Sequence, residues 1–269
     1  MISIIIPLYN KEQIIEKSLK SVLSQDYDDF EVVIVNDGST DRSAEIVKAI
    51  DDSRIRLIEQ ENGGPSKARN TGVENAQGDW VVFLDADDEF LPGALRYYQC
   101  LIELKSGYDL FACPFFTYNG KERRLCYAYK DGELKNPFRA SFKGLFLPRT
   151  GAFACRRDIL KSNPFNEQLR RFEDLEMLYR MYRSVKIYTA SNPVMVVNQE
   201  FAAASHGRKD VNEDFVGHIC FKGKSFWEKM CLYQFYLGER PYYVEQCKSL
   251  YPGLDKRYDL LLLSKLLSL

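Results

Sequence analysis

The sequence predicts an α/β protein organised around a doubly wound, largely parallel sheet, and three observations carry that prediction. Through the first hundred residues short β-branched runs alternate with helical patterns; the runs are apolar and bounded by Asp, Asn and Gly; and neither internal repeats nor low-complexity tracts interrupt them. Strand, helix, strand in this cadence demands right-handed crossovers, and ligands on such sheets gather at the carboxyl ends of the strands.

Residues 3–6, 32–35, 56–58 and 80–84 read as buried strands. Between them Ile15, Leu19, Val22 and Leu23 fall on one helical face, Ile46, Val47 and Ile50 on a second, and Ala68, Val73 and Ala76 on a third. Ser39 or Thr40 is placed to cap the second of these helices. A fourth helix begins near Pro92 and carries Leu95, Tyr98, Leu101 and Ile102. Beyond it, 108–116 reads as a strand, Asn119-Gly120 and Asp131-Gly132 as hairpin turns, and the region as a small mixed sheet. Residues 172–183 are predicted helical, 185–198 extended, and everything from about 210 onward helical.

Composition narrows the class. The 269 residues are 45% hydrophobic with 37 Lys+Arg against 38 Asp+Glu, which suits a folded globular protein. No apolar run approaches the roughly 20 residues that span a bilayer, and the apolar opening is too short, and lacks the basic leader, for a signal peptide. The seven cysteines are odd in number and form no CxxC, and only His206 and His218 are available to complete a zinc site. The reading is a cytoplasmic protein without a disulfide framework or structural zinc, and no nucleic-acid partner is expected. The net charge of −1 conceals an asymmetry: −10 over residues 1–117, +7 over 118–183 and +2 over 184–269. An acidic half repels a diphosphate unless a metal cation stands between them, and a basic half can face an anionic surface; solvated faces of unlike composition explain the split equally well.

Five clusters fall where strands end or a helix opens. Pro7-Leu8-Tyr9-Asn10 ends the first strand, where Pro stops the ladder and leaves an aromatic ring able to stack on a base. After the second strand, Asp37 in Asn36-Asp37-Gly38-Ser39-Thr40-Asp41 can accept from a base N–H or a ribose hydroxyl, although a plain capped turn uses the same residue types. Asn62 to Asn70 combines a glycine turn, Pro65 and the cations Lys67 and Arg69, and matches neither GxxxxGK[ST] nor GxGxxG. Asp85-Ala86-Asp87-Asp88 closes an apolar strand; in extended backbone Asp85 and Asp87 share a side and offer hard oxygen ligands to Mg²⁺ or Mn²⁺ on a diphosphate, whereas a turn-forming Asp cluster is the bland alternative. Glu173-Asp174 opens a helix, where acidic residues are expected for dipole reasons alone and where a general base is the functional reading.

Taken in order, SIIIPLYN, VVIVNDGSTD, ENGGPSKARNTG, GDWVVFLDADD and a later FED resemble the family-2 glycosyltransferases, the large inverting group with the GT-A fold. The first four motifs run continuously over residues 2–92; the acidic pair follows about 85 residues later. The resemblance implies a Rossmann-like central sheet with a small mixed β region, a catalytic domain over 1–205 (nucleotide-sugar half 1–92, acceptor half 93–205) and a helical extension over 206–269. It implies that Pro7, Tyr9 and Asn10 line the nucleotide pocket, that Asp37 recognises the base, and that Lys67, Arg69 and Asp85 lie at the donor. Asp85 and Asp87 resemble the DxD pair, with Asp87 the direct ligand of Mn²⁺ or Mg²⁺, and Asp174 resembles the catalytic base, with Glu173 second. The segment 197–206 fits the family's following aromatic-and-basic motif only loosely, and His206 has no assigned role. The implied partners are a UDP-sugar donor and a surface-glycan or lipid-linked acceptor. A nucleotidyltransferase and a non-catalytic sugar-nucleotide-binding partner are the competing readings; the intact acidic residues argue against the second. The basic side chains Arg123, Arg124, Arg139, Lys143, Arg149, Arg156, Arg157, Arg170 and Arg171 are expected on the acceptor side of the cleft. The leucine-rich tail, interrupted by Lys256, Arg257 and Lys265, is expected either to lie on an anionic membrane surface or to pack on the domain.

Overall fold

The computed structural model describes residues 1–200 and 210–251. The 205/206 boundary, His206 and the leucine-rich tail lie outside the described residues.

Eight strands form the central sheet. The first part of the chain supplies β1 (Ile2–Leu8), β2 (Phe30–Asp37), β3 (Ile55–Gln60) and β4 (Trp80–Phe83), paired in parallel in the order β3-β2-β1-β4. All of β1 except Pro7, and all of β4, is buried, which is why these strands read as unbroken Ile/Val runs rather than as alternation. Helices α1 (Ile15–Leu23), α2 (Ser43–Lys48) and α3 (Pro65–Asn75) make the crossovers. Gly72 lets α3 lie close on the sheet, since a Cβ there would come within 2.2 Å of Ile5 Cγ2. Pro7 does not stop β1, which runs on to Leu8 opposite Asn36; it sits beyond the last β1–β4 pair, Ile5 with Phe83, where no ladder partner needs its missing N–H.

After β5 (Glu89–Phe90) and α4 (Ala94–Leu104), the predicted strand 108–116 divides. Its first part is β6 (Leu110–Ala112) in the main sheet, its second β7 (Phe115–Tyr118) in a separate one. Pro114, which lacks an N–H for either ladder, stands at the break. Asn119-Gly120 does make a hairpin, from β7 to β8 (Arg123–Cys126). Asp131-Gly132 does not: Gly132 enters β9 (Gly132–Glu133), which pairs with a distant strand, β11 (Ile187–Thr189). Strand β10 (Phe153–Arg156) runs antiparallel between β4 and β6 and joins the halves of the main sheet. The small sheet is ordered β5-β12-β7-β8, β12 being Met195–Asn198. Helices α5 (Pro137–Phe142), α6 (Arg157–Ser162) and α7 (Glu173–Met181) complete this part of the chain.

Residues 210–251 hold two short 3₁₀ turns, then α8 (Phe226–Glu239) and, after a third such turn, α9 (Val244–Leu250). Phe215, Leu232, Tyr233 and Tyr236 share one buried cluster with Val33 and Phe83 of the central sheet, so this segment packs into the main core. No disulfide links any of the seven cysteines. Among the described residues no helix is long and apolar enough to cross a membrane.

Candidate active site

The carboxyl ends of β1, β2 and β4 and the start of α7 bring the predicted residues to one edge of the sheet. Asn10, in the left-handed region at φ 50°, stitches the first two motifs together: its Oδ1 accepts from Thr40 N at 2.8 Å and its N–H donates to Ser39 Oγ at 3.2 Å. Those contacts occupy Ser39 and Thr40, and the α2 turn is held instead by Asp41 Oδ1, which accepts from Ser43 N at 2.9 Å. Tyr9 beside it is 47% exposed, an unusual state for a large ring and one that leaves its face open. Pro7 is half-buried at the same edge.

Asp37, at the end of β2, is nearly buried and accepts three hydrogen bonds from the glycine loop and its neighbour: Gln60 Nε2 at 2.7 Å, Gly63 N at 2.8 Å and Gly64 N at 2.7 Å. The carboxylate thereby ties β2 to the loop that opens α3. Gly64 has φ +87°, and the Arg170 guanidinium lies where its Cβ would be. The stem of Lys67 folds over Gly63 in the same way.

The centre of the site is Arg69. Reaching up from α3 with its side chain 6% exposed, it donates through Nη2 to Asp85 Oδ1 at 2.8 Å and through Nη1 to Glu173 Oε1 at 2.7 Å. Arg69 of α3 thus bridges Asp85, just past the end of β4, to Glu173 at the start of α7. Burial pushes the Asp85 carboxyl up, but Arg69 and Arg149 together, with hydrogen bonds from Arg69 and Thr150, hold it below the usual range. The Asp85–Asp88 segment is a turn closed by Asp88 N to Asp85 O at 2.9 Å, not extended backbone, so the same-side argument for Asp85 and Asp87 fails. Asp87 instead meets Lys11 Nζ at 2.5 Å, and burial together with the charge of Asp85 still leaves its carboxyl raised. Asp88 Oδ1 accepts from Asn198 N at 2.9 Å while its buried Oδ2 has no hydrogen-bond partner; burial, then the Asp85 charge, pushes this carboxyl far up.

That cluster is short of positive charge. Among the described residues no group of three or more His, Cys, Asp or Glu side chains forms a ready metal cage. Mg²⁺-like ions, however, take one or two carboxylates plus substrate phosphates, and the raised Asp87 with the orphaned oxygen of Asp88 fits such a partner set.

Glu173 and Asp174 open α7, directly after Phe172, which adopts a left-handed conformation (φ 56°, ψ 27°) that a bulky residue rarely holds. Glu173 is consumed by Arg69. Asp174 accepts from Leu175 N at 2.7 Å and has no ion pair among the described residues. Burial and the neighbouring Glu173 charge, against the pull of Arg69 and Arg149, push it up to about 6. A half-buried carboxylate poised there is able to take a proton near neutral pH.

Sequence reasoning missed Lys11, Asn198 and the Phe165 ring, over which the Arg69 guanidinium lies at 5.4 Å. Lys11 directly follows the first motif, a signal that was available; Asn198 comes from β12, a link visible only in three dimensions. Of the nine cations expected on the acceptor side, several serve the fold instead: Arg156 stacks over Trp80 at 4.9 Å, Arg139 over Trp227 at 5.4 Å, Arg157 donates to Ala76 O, and Arg171 pairs with Asp214. Arg123, Arg124 and Arg149 are exposed.

Comparison with known proteins agrees with this geometry. Residues 3–163 match the model of the family described as "Glycosyl transferase family 2". Glycosyltransferase GlyA of Streptococcus pneumoniae is 41% identical over 124 residues, covering 45% of this chain and 18% of that protein. The GalNAc(5)-diNAcBac-PP-undecaprenol beta-1,3-glucosyltransferase of Campylobacter jejuni is 31% identical over 186 residues, covering 62% of this chain and 55% of that protein. The chain therefore spans little more than half of these relatives at most. Among solved structures, S. aureus TarS in complex with UDP-GlcNAc superposes with a TM-score of 0.74 at 22% identity, over 95% of this chain and 77% of that one. With the sheet order, the strand-end acidic residues and this match in agreement, the chain belongs to glycosyl transferase family 2 and has the GT-A fold.

Proposed function

We propose that this chain transfers a glycosyl group from a UDP-sugar to a hydroxyl of a surface-glycan or lipid-linked acceptor, inverting the anomeric carbon, with Asp174 as general base. The observation that carries the reading is the Asp174 carboxylate: raised to about 6, free of ion pairs among the described residues, and separated from the donor-side Asp85 only by the Arg69–Glu173 link. Family membership supports glycosyl transfer, and UDP-GlcNAc in a protein of the same fold supports a UDP-sugar donor. The Campylobacter relative, named as a glucosyltransferase for a PP-undecaprenol-linked glycan, supports a lipid-linked acceptor.

In this reading Tyr9 stacks on the base, Pro7 and Asn10 shape the pocket wall, and Lys67 and Arg69 stand beside the diphosphate. Recognition of the base by Asp37 requires it to keep or exchange its three loop hydrogen bonds. Asp87 would hold Mn²⁺ or Mg²⁺, with the second oxygen of Asp85 or the orphaned Oδ2 of Asp88 beside it, and the ion would supply Lewis-acid neutralisation of the departing diphosphate. Asp174 removes the acceptor proton as the oxygen attacks the anomeric carbon from the face opposite the leaving group, a contribution of about 10²–10⁴ in rate. One displacement leaves one inversion. A leucine-rich tail carrying Lys256, Arg257 and Lys265 supports a peripheral position at the inner face of an anionic membrane, which vesicle flotation with and without residues 255–269 tests.

The test of the reaction is a panel of nucleotide sugars with Mn²⁺ and glycan acceptors, the product's anomeric configuration read by NMR. Transfer with inversion, lost in Asp174→Asn, is expected. A retained configuration, or an Asp174→Asn variant with more than about a tenth of normal turnover, refutes the assignment.

A further inference from the structure

We infer that Asp214 is a positioning residue for the base: acting through Arg171, it fixes the backbone bend that delivers Asp174 to the site. The inference rests on Asp174 being the base. Asp214 belongs to none of the sequence motifs and lies 40 positions after Asp174, yet it is fully buried. Its Oδ2 accepts from Arg171 Nε and from Tyr243 OH, each at 3.1 Å, and its Oδ1 accepts from Val216 N at 3.1 Å. The backbones are zipped together as well: Arg170 N donates to Glu213 O at 2.8 Å, Phe215 N to Arg171 O at 3.4 Å, and residues 171 and 214 form a parallel bridge.

The residue after this clamp is Phe172, left-handed and followed at once by Glu173 and Asp174. Strained backbone of this kind persists only where its surroundings over-determine it. Here they do: the Arg171 guanidinium lies over the Phe172 ring at 5.1 Å, and that ring meets Phe235 of α8 edge-on at 4.9 Å. The other end of the strap is tied to the donor helix. Asn70 of α3 holds Phe165 through two hydrogen bonds, at 2.9 and 3.0 Å, and Ser66 Oγ donates to Leu169 O at 3.3 Å. Residues 165–173 are thus stretched between α3 and the 213–215 turn, with Asp174 at the end of the strap. A buried ion pair adds little net stability over an apolar pair of the same shape, so its use here is geometric.

The experiment compares Asp214→Asn, Asp174→Asn and the double variant in the full chain. Asp214→Asn keeps the side-chain size and removes the negative charge facing Arg171, whose other carboxylate neighbour, Glu239 at 3.9 Å, is left in place. Expected are a fall in kcat of at least tenfold, UDP affinity by calorimetry within twofold of the unmodified protein, and a displaced acid limb in the pH profile of kcat/KM. The double variant is expected to be no slower than Asp174→Asn alone, because a residue acting through the base then has nothing to act on. Should Asp214→Asn fail to fold, Arg171→Lys, which keeps the charge but loses the planar fork, supplies the same comparison. Unchanged kcat in a folded variant, kcat and UDP affinity falling together, or additive losses in the double variant overturn the inference. A fully active Asp174→Asn brings down the base assignment and this inference with it; an inactive Asp174→Asn beside a fully active Asp214→Asn brings down this inference alone.

Discussion

Replacing Asp174 with Asn is expected to stabilise the protein at alkaline pH while abolishing transfer. In the folded chain the Asp174 carboxyl titrates at about 6 against 3.8 when exposed, raised first by burial and then by Glu173. Between those values the native state holds more protons than the unfolded state, so stability falls as pH rises through this window and stays low above it. At about 1.4 kcal/mol per pH unit the full penalty is about 3 kcal/mol. Asp174 is only half-buried, and solvent screening trims the expected gain to about 1–2 kcal/mol. Asn retains an oxygen to accept from Leu175 N, which confines the change to the charge. For a chain of this size that gain raises Tm by about 2–4 °C. Thermal unfolding followed by circular dichroism at pH 8 and at pH 4 measures it. The gain should be present at pH 8 and gone near pH 4; an Asn variant equally stable or less stable than the unmodified protein at pH 8 refutes the account of why this carboxyl is raised.

Three further outcomes follow from the same site. The acid limb of kcat/KM is expected to have its midpoint near 6, with activity rising as Asp174 loses its proton, and a limb below 5 in a pH-rate profile contradicts Asp174 as base. Arg69→Met strands the carboxylates of Asp85 and Glu173 without their shared cation and is expected to destabilise the fold by about 3–5 kcal/mol in urea unfolding at pH 7; a loss under 1 kcal/mol means the bridge is not formed in solution. Asp87→Ala is expected to abolish the Mn²⁺ dependence of UDP binding in calorimetric titration, and equal UDP affinity of the unmodified protein with EDTA and with Mn²⁺ removes the case for a metal.

The first ninety or so residues were legible because their signals are local. Each of β1 to β4 is a short apolar run ended by a polar motif, and period alone separates it from the helix that follows. The residues that follow were less so. The break at Pro114 sends consecutive residues into two sheets, and Gly132 finds its partner in Thr189, more than fifty positions away; neither pairing has a local signature. In the site, residue types and strand ends pointed to one edge of the sheet, where the structure brings those residues together, whereas their partners were not legible. Nothing in the spacing reveals that Arg69 joins Asp85 to Glu173, that Lys11 meets Asp87, or that Asp37 is engaged by the glycine loop. Charge counting also over-assigned cations to the acceptor, because Arg side chains cover aromatic rings and cap carbonyls as readily as they meet anions.

The reversed strand β10 has a consequence for how the molecule is made. As the chain emerges from the ribosome, β1 to β4 are complete by residue 83, but the strand that covers the far edge of β4 begins only at residue 153. At about 5–20 residues per second, a growing chain carries the unpaired sequence Trp80–Phe83 for several seconds. All four of its residues are apolar, and an apolar strand with an open edge is a template for pairing with another chain. Residues 1–83 are therefore made well before the strand that covers their open edge, and nascent-chain protection is needed most in the interval before β10 arrives.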